Sequence, residues 1–384
     1  MSTHPAMRRG TPRALLAGLV LLGLIAGALA LRGHDPVADR ALSELRGFAE
    51  WLDRNDVEGY IGEVGWPASR AVDGDDWQDL AREWYAQAAE ADLWVTAWST
   101  GEMWAGVDSP LTIYASAGVD GALALPRAQA EVIEGQAPAL RGVNVSGGEF
   151  GAVPQVQPAS PWSNANPGTY GLQWRYDTQG SFDYLAERGI TTVRLPFRWE
   201  RIQPEPRGPL DGAELGRLRD AVRRAGDAGL SVILDVHNFG GYYRDEGGQG
   251  VRLTVGSDEL PAAALADLWR RLSAEFAAEP AVAGYTLMNE PAELAGREDR
   301  TPAQVWEEAS QAALDAIRSN GDDTLVLVPG YDWAAVRGWA EEHPEAWIVD
   351  PLDRFRYEAH HYWDADRSGR YRDRYADEIA ASRP

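Results

Sequence analysis

Eight short apolar runs punctuate this chain, and segments of helical period lie between them. The runs fall near residues 59–65, 93–98, 140–145, 191–197, 231–237, 282–289, 324–329 and 354–361. Most are almost continuously apolar, as in "LWVTAWST", "SVILDVHNF" and "TLVLVPGY". A strand with one wet face alternates polar and apolar side chains, whereas a strand covered on both faces does not. Between the runs, apolar residues recur at helical spacing. Examples are Leu215, Leu218, Val222 and Ala225, then Leu265, Leu268, Leu272 and Phe276. Eight buried parallel strands alternating with amphipathic helices predict an α/β protein built as a (β/α)8 TIM barrel. The rival arrangement is an open doubly wound sheet, and no Gly-rich phosphate loop supports it.

With 384 residues, 45% of them hydrophobic, the chain can build one such barrel. It contains no Cys, which excludes disulfides and thiolate metal sites. The formal charge of −23 argues against a nucleic-acid partner or an anionic membrane surface and fits a neutral or cationic ligand. Tryptophan is abundant, 16 against 7 Phe, and Trp excess supplies flat stacking surfaces as well as core. The basic "MRRGTPR" precedes the uncharged run from Ala14 to Leu31. Residues 1–35 therefore read as a signal peptide or a membrane anchor, with the remainder extracytoplasmic. Two stretches break the rhythm. Val119–Ala139 has no clear period and reads as a connection, and Glu149–Tyr176 reads as a long loop rich in Pro, Asn, Gly and Ser.

Polar groups gather where the apolar runs end. Trp98 closes "LWVTAW", Arg194 lies in "TTVRLPF", and His237 and Asn238 close "VILDVHN". Asn289 and Glu290 close "GYTLMNEP", while His360 and Tyr362 close "RYEAHHYW". In a (β/α)8 barrel all these ends open on one face, where active sites are built. Two carboxylates stand out, Glu290 and Glu63, the latter inside "GYIGEVGWP". A buried carboxylate is costly unless it is used or paired. Glycoside hydrolysis uses such a pair, one group protonating the leaving oxygen and the other attacking or stabilising the anomeric carbon. Arg194 is placed to keep Glu63 charged. No metal is expected: there is no HExxH, and the His360-His361 step puts neighbours on opposite strand faces. "NVSGG" does not form the Gly-x-Ser-x-Gly elbow of a serine hydrolase.

These stretches resemble glycoside hydrolase family 5, the cellulase family. "LRGVNVSGGEFG", "GITTVRLPFRWERIQP" and "VILDVHNFGGYY" are similar to its first three strands. "GYTLMNEP" resembles its fourth strand, and "YEAHHYWDADRSG" resembles the sixth of its endoglucanase branch. The family's seventh and eighth strands have their counterparts at the front. "GYIGEVGWP" resembles the strand with the nucleophile, and "ADLWVTAWSTGEMWAG" the strand with the sugar-stacking Trp. The resemblance thus implies a circular permutation, the alternative being a truncated enzyme with an unrelated N-terminal segment. Residues 36–118 would carry strands seven and eight, 119–139 would join the old ends, and 140–384 would carry strands one to six, with 36–384 as one catalytic domain.

Carried onto this sequence, the resemblance implies Glu290 as general acid/base and Glu63 as nucleophile. Arg194, His237, Asn238, Asn289, His360 and Tyr362 would support them. Trp98 would stack on the sugar at the cleavage point, and Trp104, Trp199, Trp333 and Trp363 are candidates for outer subsites. The implied activity is a retaining endo-β-1,4-glucanase that needs no cofactor and acts as a monomer on a polysaccharide or oligosaccharide. The same chemistry on mannan, xylan or mixed-linkage glucan, or as an exo-β-glucosidase, is an alternative. A membrane-tethered glycan-binding protein without activity is another.

Overall fold

The computed structural model describes residues 35–68, 74–105, 109–118, 121–151, 162–373 and 375–381. Eight parallel strands close into a barrel. They are β1 (Gly59–Gly65), β2 (Trp94–Thr100), β5 (Gly142–Val145), β6 (Thr192–Phe197), β7 (Ser231–Val236), β10 (Val282–Thr286), β11 (Leu325–Pro329) and β12 (Phe355–Tyr362). Each pairs with the next in chain order, and β12 returns to pair with β1. All eight lie where the apolar runs predict them, and nearly every strand residue is buried. Continuous apolarity is the mark of strands enclosed by helices outside and by one another inside.

The longer helices shield the strands. They are α1 (Pro36–Asn55), α2 (Gly74–Glu90), α4 (Gln179–Glu187), α6 (Gly212–Asp227), α7 (Ala262–Phe276) and α8 (Pro302–Ser319). Local chemistry sets their starts. The Asp35 carboxylate accepts from the N–H groups of Val37 and Ala38, with Pro36 at the first helical position. Thr301 and Gln304 form a reciprocal capping box on α8. Aromatic residues fill the wedge between the ends of β1 and β12 and the helix α2. Trp66 stacks on Trp363 with centroids 5.6 Å apart, and Trp77 and Trp84 pack around the same ring.

Two short hairpins were not legible as strands. β3 (Tyr114–Ser116) pairs with β4 (Leu123–Pro126), and β8 (Gly241–Glu246) pairs with β9 (Gln249–Thr254). The first, followed by α3 (Ala128–Glu134), occupies much of the stretch expected to be an irregular connection. Elements of three to seven residues are too short to establish a period, and their pairing partners decide them. No helix among the described residues is long and apolar enough to cross a membrane. Except for Asp35, the expected signal or anchor (residues 1–35) lies outside the described residues.

Candidate active site

The buried-looking carboxylate in β1 owes its aim to a register shift. Ile61 is opposite Ala359, yet Glu63 is opposite His360, so Gly62 is the extra residue of a β-bulge. Bulges re-aim a side chain, and they recur beside active sites. Gly62 fits because a Cβ there would lie 2.2 Å from Glu358 Oε1 and 2.9 Å from His360 Nε2. With the bulge, Glu63 turns into the mouth of the barrel among charged groups.

Arg194, on β6 and fully buried, organises that mouth. Its Nη1 donates to Glu63 Oε1 at 3.1 Å and to Asn144 Oδ1 at 2.9 Å. Its Nη2 donates to Asn289 Oδ1 at 2.7 Å and to Glu358 Oε1 at 3.1 Å. Asp235 Oδ2 lies 3.1 Å from Nη1. One guanidinium therefore faces three carboxylates. The Tyr362 hydroxyl donates to the other oxygen of Glu63 at 2.6 Å. Glu290 follows β10 with its backbone in the left-handed region, φ 43°. Its Oε1 sits 2.9 Å from His360 Nδ1, and its side chain is 15% exposed where Glu63 is only 4% exposed.

Oxygens of Glu63 and Glu290 and a ring nitrogen of His360 all lie within 4.8 Å of one another. Burial pushes the Glu63 carboxyl up from its ordinary range, opposed by His360 and aided by Glu290, while Arg194 and His237 also pull it down. Burial also opposes charge on His360, but Glu63, Glu290 and Glu358 outweigh it and push the ring up to about 10. The trio is compact enough to surround a cation. However, both nitrogens of His360 face carboxylates, at 2.9 and 3.2 Å, which is the environment of a protonated ring with no lone pair for a metal.

The other expected residues divide into two groups. His237 stacks on half-buried Trp98, centroids 5.6 Å apart, and approaches Asn289 Nδ2 through its Nε2. Trp333 is 45% exposed and lines a small cavity with Glu290, His360, Tyr362 and Arg367. Trp104 is half-buried and sets its edge against Phe150. Trp199 and Trp363, expected as outer subsites, are instead fully buried. Trp199 donates to Gln203 and packs on Tyr242, and Trp363 lies inside the aromatic wedge. Both sit just past a strand end, where the chain turns back over the core, and the local sequence does not distinguish that from a rim position. Asn238, expected to support the pair, stands apart from it. Its amide binds both oxygens of Glu200 and accepts from the Trp199 N–H, so it braces the loop after β7 and does not reach the carboxylate pair.

Asn144, Asp235 and Glu358 were missed. The last two could have been found, because each is an acid two residues before a strand-end His, hence on the same face of its strand. Two larger cavities lie elsewhere. One, of about 200 Å³, is lined by Tyr170, Trp174, Arg201 and Arg217. The other, of about 240 Å³, is largely apolar and is floored by Tyr60, Trp94 and Ile233 near the strand beginnings.

Residues 146–383 match the family model of cellulase, glycosyl hydrolase family 5, which is more than half the chain. The chain is 28% identical over 244 residues to endo-β-1,4-glucanase B of Emericella nidulans, covering 63% of this chain and 65% of that enzyme. It is 29% identical over 264 residues to a probable endo-β-1,4-glucanase B of Neosartorya fischeri, covering 68% and 69%. Among solved structures, Pseudomonas stutzeri endoglucanase Cel5A is 34% identical with a TM-score of 0.50, covering 63% of this chain and 70% of that one. The match thus spans a little less than two thirds of the Emericella enzyme's length.

Proposed function

The chain belongs to glycoside hydrolase family 5, and from that premise we propose that it is a retaining endo-β-1,4-glucanase in which Glu63 and Glu290 perform a double displacement. The observation that carries this reading is the spacing of their carboxylates. One oxygen of each lies within 4.8 Å of the other, which fits the roughly 5–5.5 Å between carboxyl groups of retaining enzymes better than the roughly 6.5–9.5 Å of inverting ones. Glu63 receives hydrogen bonds on both oxygens, from Arg194 and Tyr362, as suits a nucleophile that reacts as the anion. Glu290 is the more exposed of the two, and its second oxygen is left to face a glycosidic oxygen. In the first step Glu63 forms a bond to the anomeric carbon while Glu290 gives its proton to the departing sugar oxygen. In the second, Glu290 takes a proton from water as that water displaces Glu63. Trp98, stacked on His237, and Trp333, in the cavity beside Glu290, supply flat faces for sugar rings.

The same proposal includes the permutation. The family match begins at residue 146 and leaves out the barrel strands β1, β2 and β5, yet Glu63 on β1 is the partner that Glu290 needs. A ring of strands tolerates opening at a different loop because each strand keeps both neighbours. The reading also takes residues 1–35 as the segment that exports or tethers a monomeric enzyme.

The test is hydrolysis of a soluble β-1,4-glucan oligosaccharide followed by proton NMR. The β-anomer is expected to form first. Glu290→Gln and Glu63→Ala should each lower kcat, the former by about 10²–10⁴-fold. The α-anomer forming first, or undiminished turnover in either variant, would refute the mechanism. A panel of mannan, xylan and mixed-linkage glucan tests the substrate. A chain with residues 140–384 placed ahead of 36–118 tests the permutation, and inactivity of that folded protein counts against it.

A further inference from the structure

The same three-residue arrangement occurs twice around the barrel mouth. Asp235-Val236-His237 ends β7, and Glu358-Ala359-His360 lies in β12. In each, the acid sits one layer below its own histidine on the inward face. Both acids share Arg194, at 3.1 Å each. Their upper surroundings differ. His237 Nδ1 lies 2.8 Å from Asp235, and its Nε2 faces the amide nitrogen of Asn289 at 3.3 Å. An amide nitrogen only donates, so Nε2 must accept, and His237 is a neutral ring. His360 has carboxylates at both nitrogens, with Glu358 Oε1 at 3.2 Å from Nε2 and Glu290 Oε1 at 2.9 Å from Nδ1. Glu63 Oε2 adds a third at 3.7 Å from Nδ1. A neutral imidazole has one N–H and can satisfy only one of its two sides.

We propose that Glu358 is a positioning residue for hydrolysis: it holds His360 as an imidazolium whose Nδ1–H points between Glu290 and Glu63. This rests on the assignment of those two residues as the reacting pair. Glu358 is suited to the task because it is fully buried and cannot turn away. Its Oε2 accepts from Thr286 at 2.7 Å, and its Oε1 is shared by Arg194 and His360. Burial works against its ionisation, but Arg194 and His360 overcome that and keep it a carboxylate. The charged groups facing the ring are Glu63 from β1, Glu290 after β10, Glu358 from its own strand and Arg194 from β6, with Asp235 and His237 on β7.

The cation has a different effect in each half of the reaction. In the free enzyme the Glu63 anion, 3.7 Å from Nδ1, offsets that charge. Once Glu63 is esterified its charge is gone. The imidazolium then faces Glu290 without that counter-charge, at the step in which Glu290 takes a proton from water. His360 itself exchanges no proton.

Two readouts test this. A two-bond proton–nitrogen spectrum of histidine-labelled protein, assigned with His360→Asn, reports how many His360 nitrogens carry protons. At roughly pH 8, above the ordinary histidine range, two are expected in the native protein and one in Glu358→Gln. The His360 cation is one of the groups that pull Glu63 down, so its loss should move the acid limb of the kcat/KM pH profile, set by the Glu63 anion, to higher pH in Glu358→Gln. A purely structural role would lower activity and leave that limb in place. One protonated nitrogen in native His360, or two retained in Glu358→Gln with an unmoved limb, overturns the proposal. If Glu358→Gln fails to fold, the native spectrum alone decides. If the native protein cleaves no glycan, the assignment of the pair falls, and the spectrum still reports the charge.

Discussion

Replacing Gly62 by Ala tests whether the bulge and the network beneath it form one rigid unit. The new Cβ would lie 2.2 Å from Glu358 Oε1, 2.8 Å from its Cδ and 2.9 Å from His360 Nε2. Relief requires Glu358 to retreat, and its three bonds to Arg194, His360 and Thr286 oppose that. Overpacking of this kind costs about 1–3 kcal/mol. Breaking one hydrogen bond between charged partners adds about 1.5–3 kcal/mol. The expected loss is therefore roughly 3–6 kcal/mol, a large share of the roughly 5–15 kcal/mol that holds a typical protein folded. Equilibrium urea unfolding measures it, and kcat/KM on a soluble glucan oligosaccharide should fall with it, because Glu63 is aimed by the same bulge. Stability within about 1 kcal/mol of native, together with unchanged kcat/KM, would refute the reasoning.

Three further outcomes follow from the same geometry. Trp199→Ala and Trp363→Ala should each lose about 3–5 kcal/mol in urea unfolding, whereas Trp333→Ala should keep stability and raise KM for longer oligosaccharides. Arg194→Met leaves three buried carboxylates without their guanidinium and should cost about 3–5 kcal/mol or more near neutrality. The deficit should shrink as pH falls and those acids protonate, which parallel unfolding curves at several pH values would reveal. Burial pushes the Glu149 carboxyl up to about 7, despite hydrogen bonding from the Gly147 N–H. A carboxyl raised in the folded state is a penalty once it ionises, so it lowers stability as pH rises from about 4.5 to about 7. Glu149→Gln should remove that slope, and a slope unchanged in the variant would show that other groups set it.

The reach of the sequence follows from which interactions are local. A strand enclosed on both faces must be apolar along its length, and a helix over it must be apolar at a 3.6-residue spacing, so all eight barrel strands were legible. The strand-end polar groups were legible for a related reason. Arg194, His237, Asn289, Glu290 and His360 would be costly where they stand unless something pairs with them. Burial of tryptophan was not legible. Trp98, Trp199, Trp333 and Trp363 all stand at or just past strand ends, and only the packing of helices and loops decides which face the mouth. The acids beneath the histidines fell between these cases. Asp235 and Glu358 carry the spacing that marks them, but their importance depends on Arg194 lying between them, and that is a contact across the ring.

The kind of fold and the residues able to do chemistry are written along the chain, because periodicity and the cost of burying charge act locally. The meeting of Glu63 and Glu290 depends on how the ring closes. Glu63 lies on β1 and Glu290 just after β10, far apart in sequence, and the closure of β12 onto β1, with one extra residue at Gly62, brings the first carboxylate to the second. Closure also decided the charge of the two histidines. The protonation of an imidazole depends on what faces each nitrogen, and for His237 and His360 one of the two partners stands two residues away in the chain while the other comes from the segment after β10.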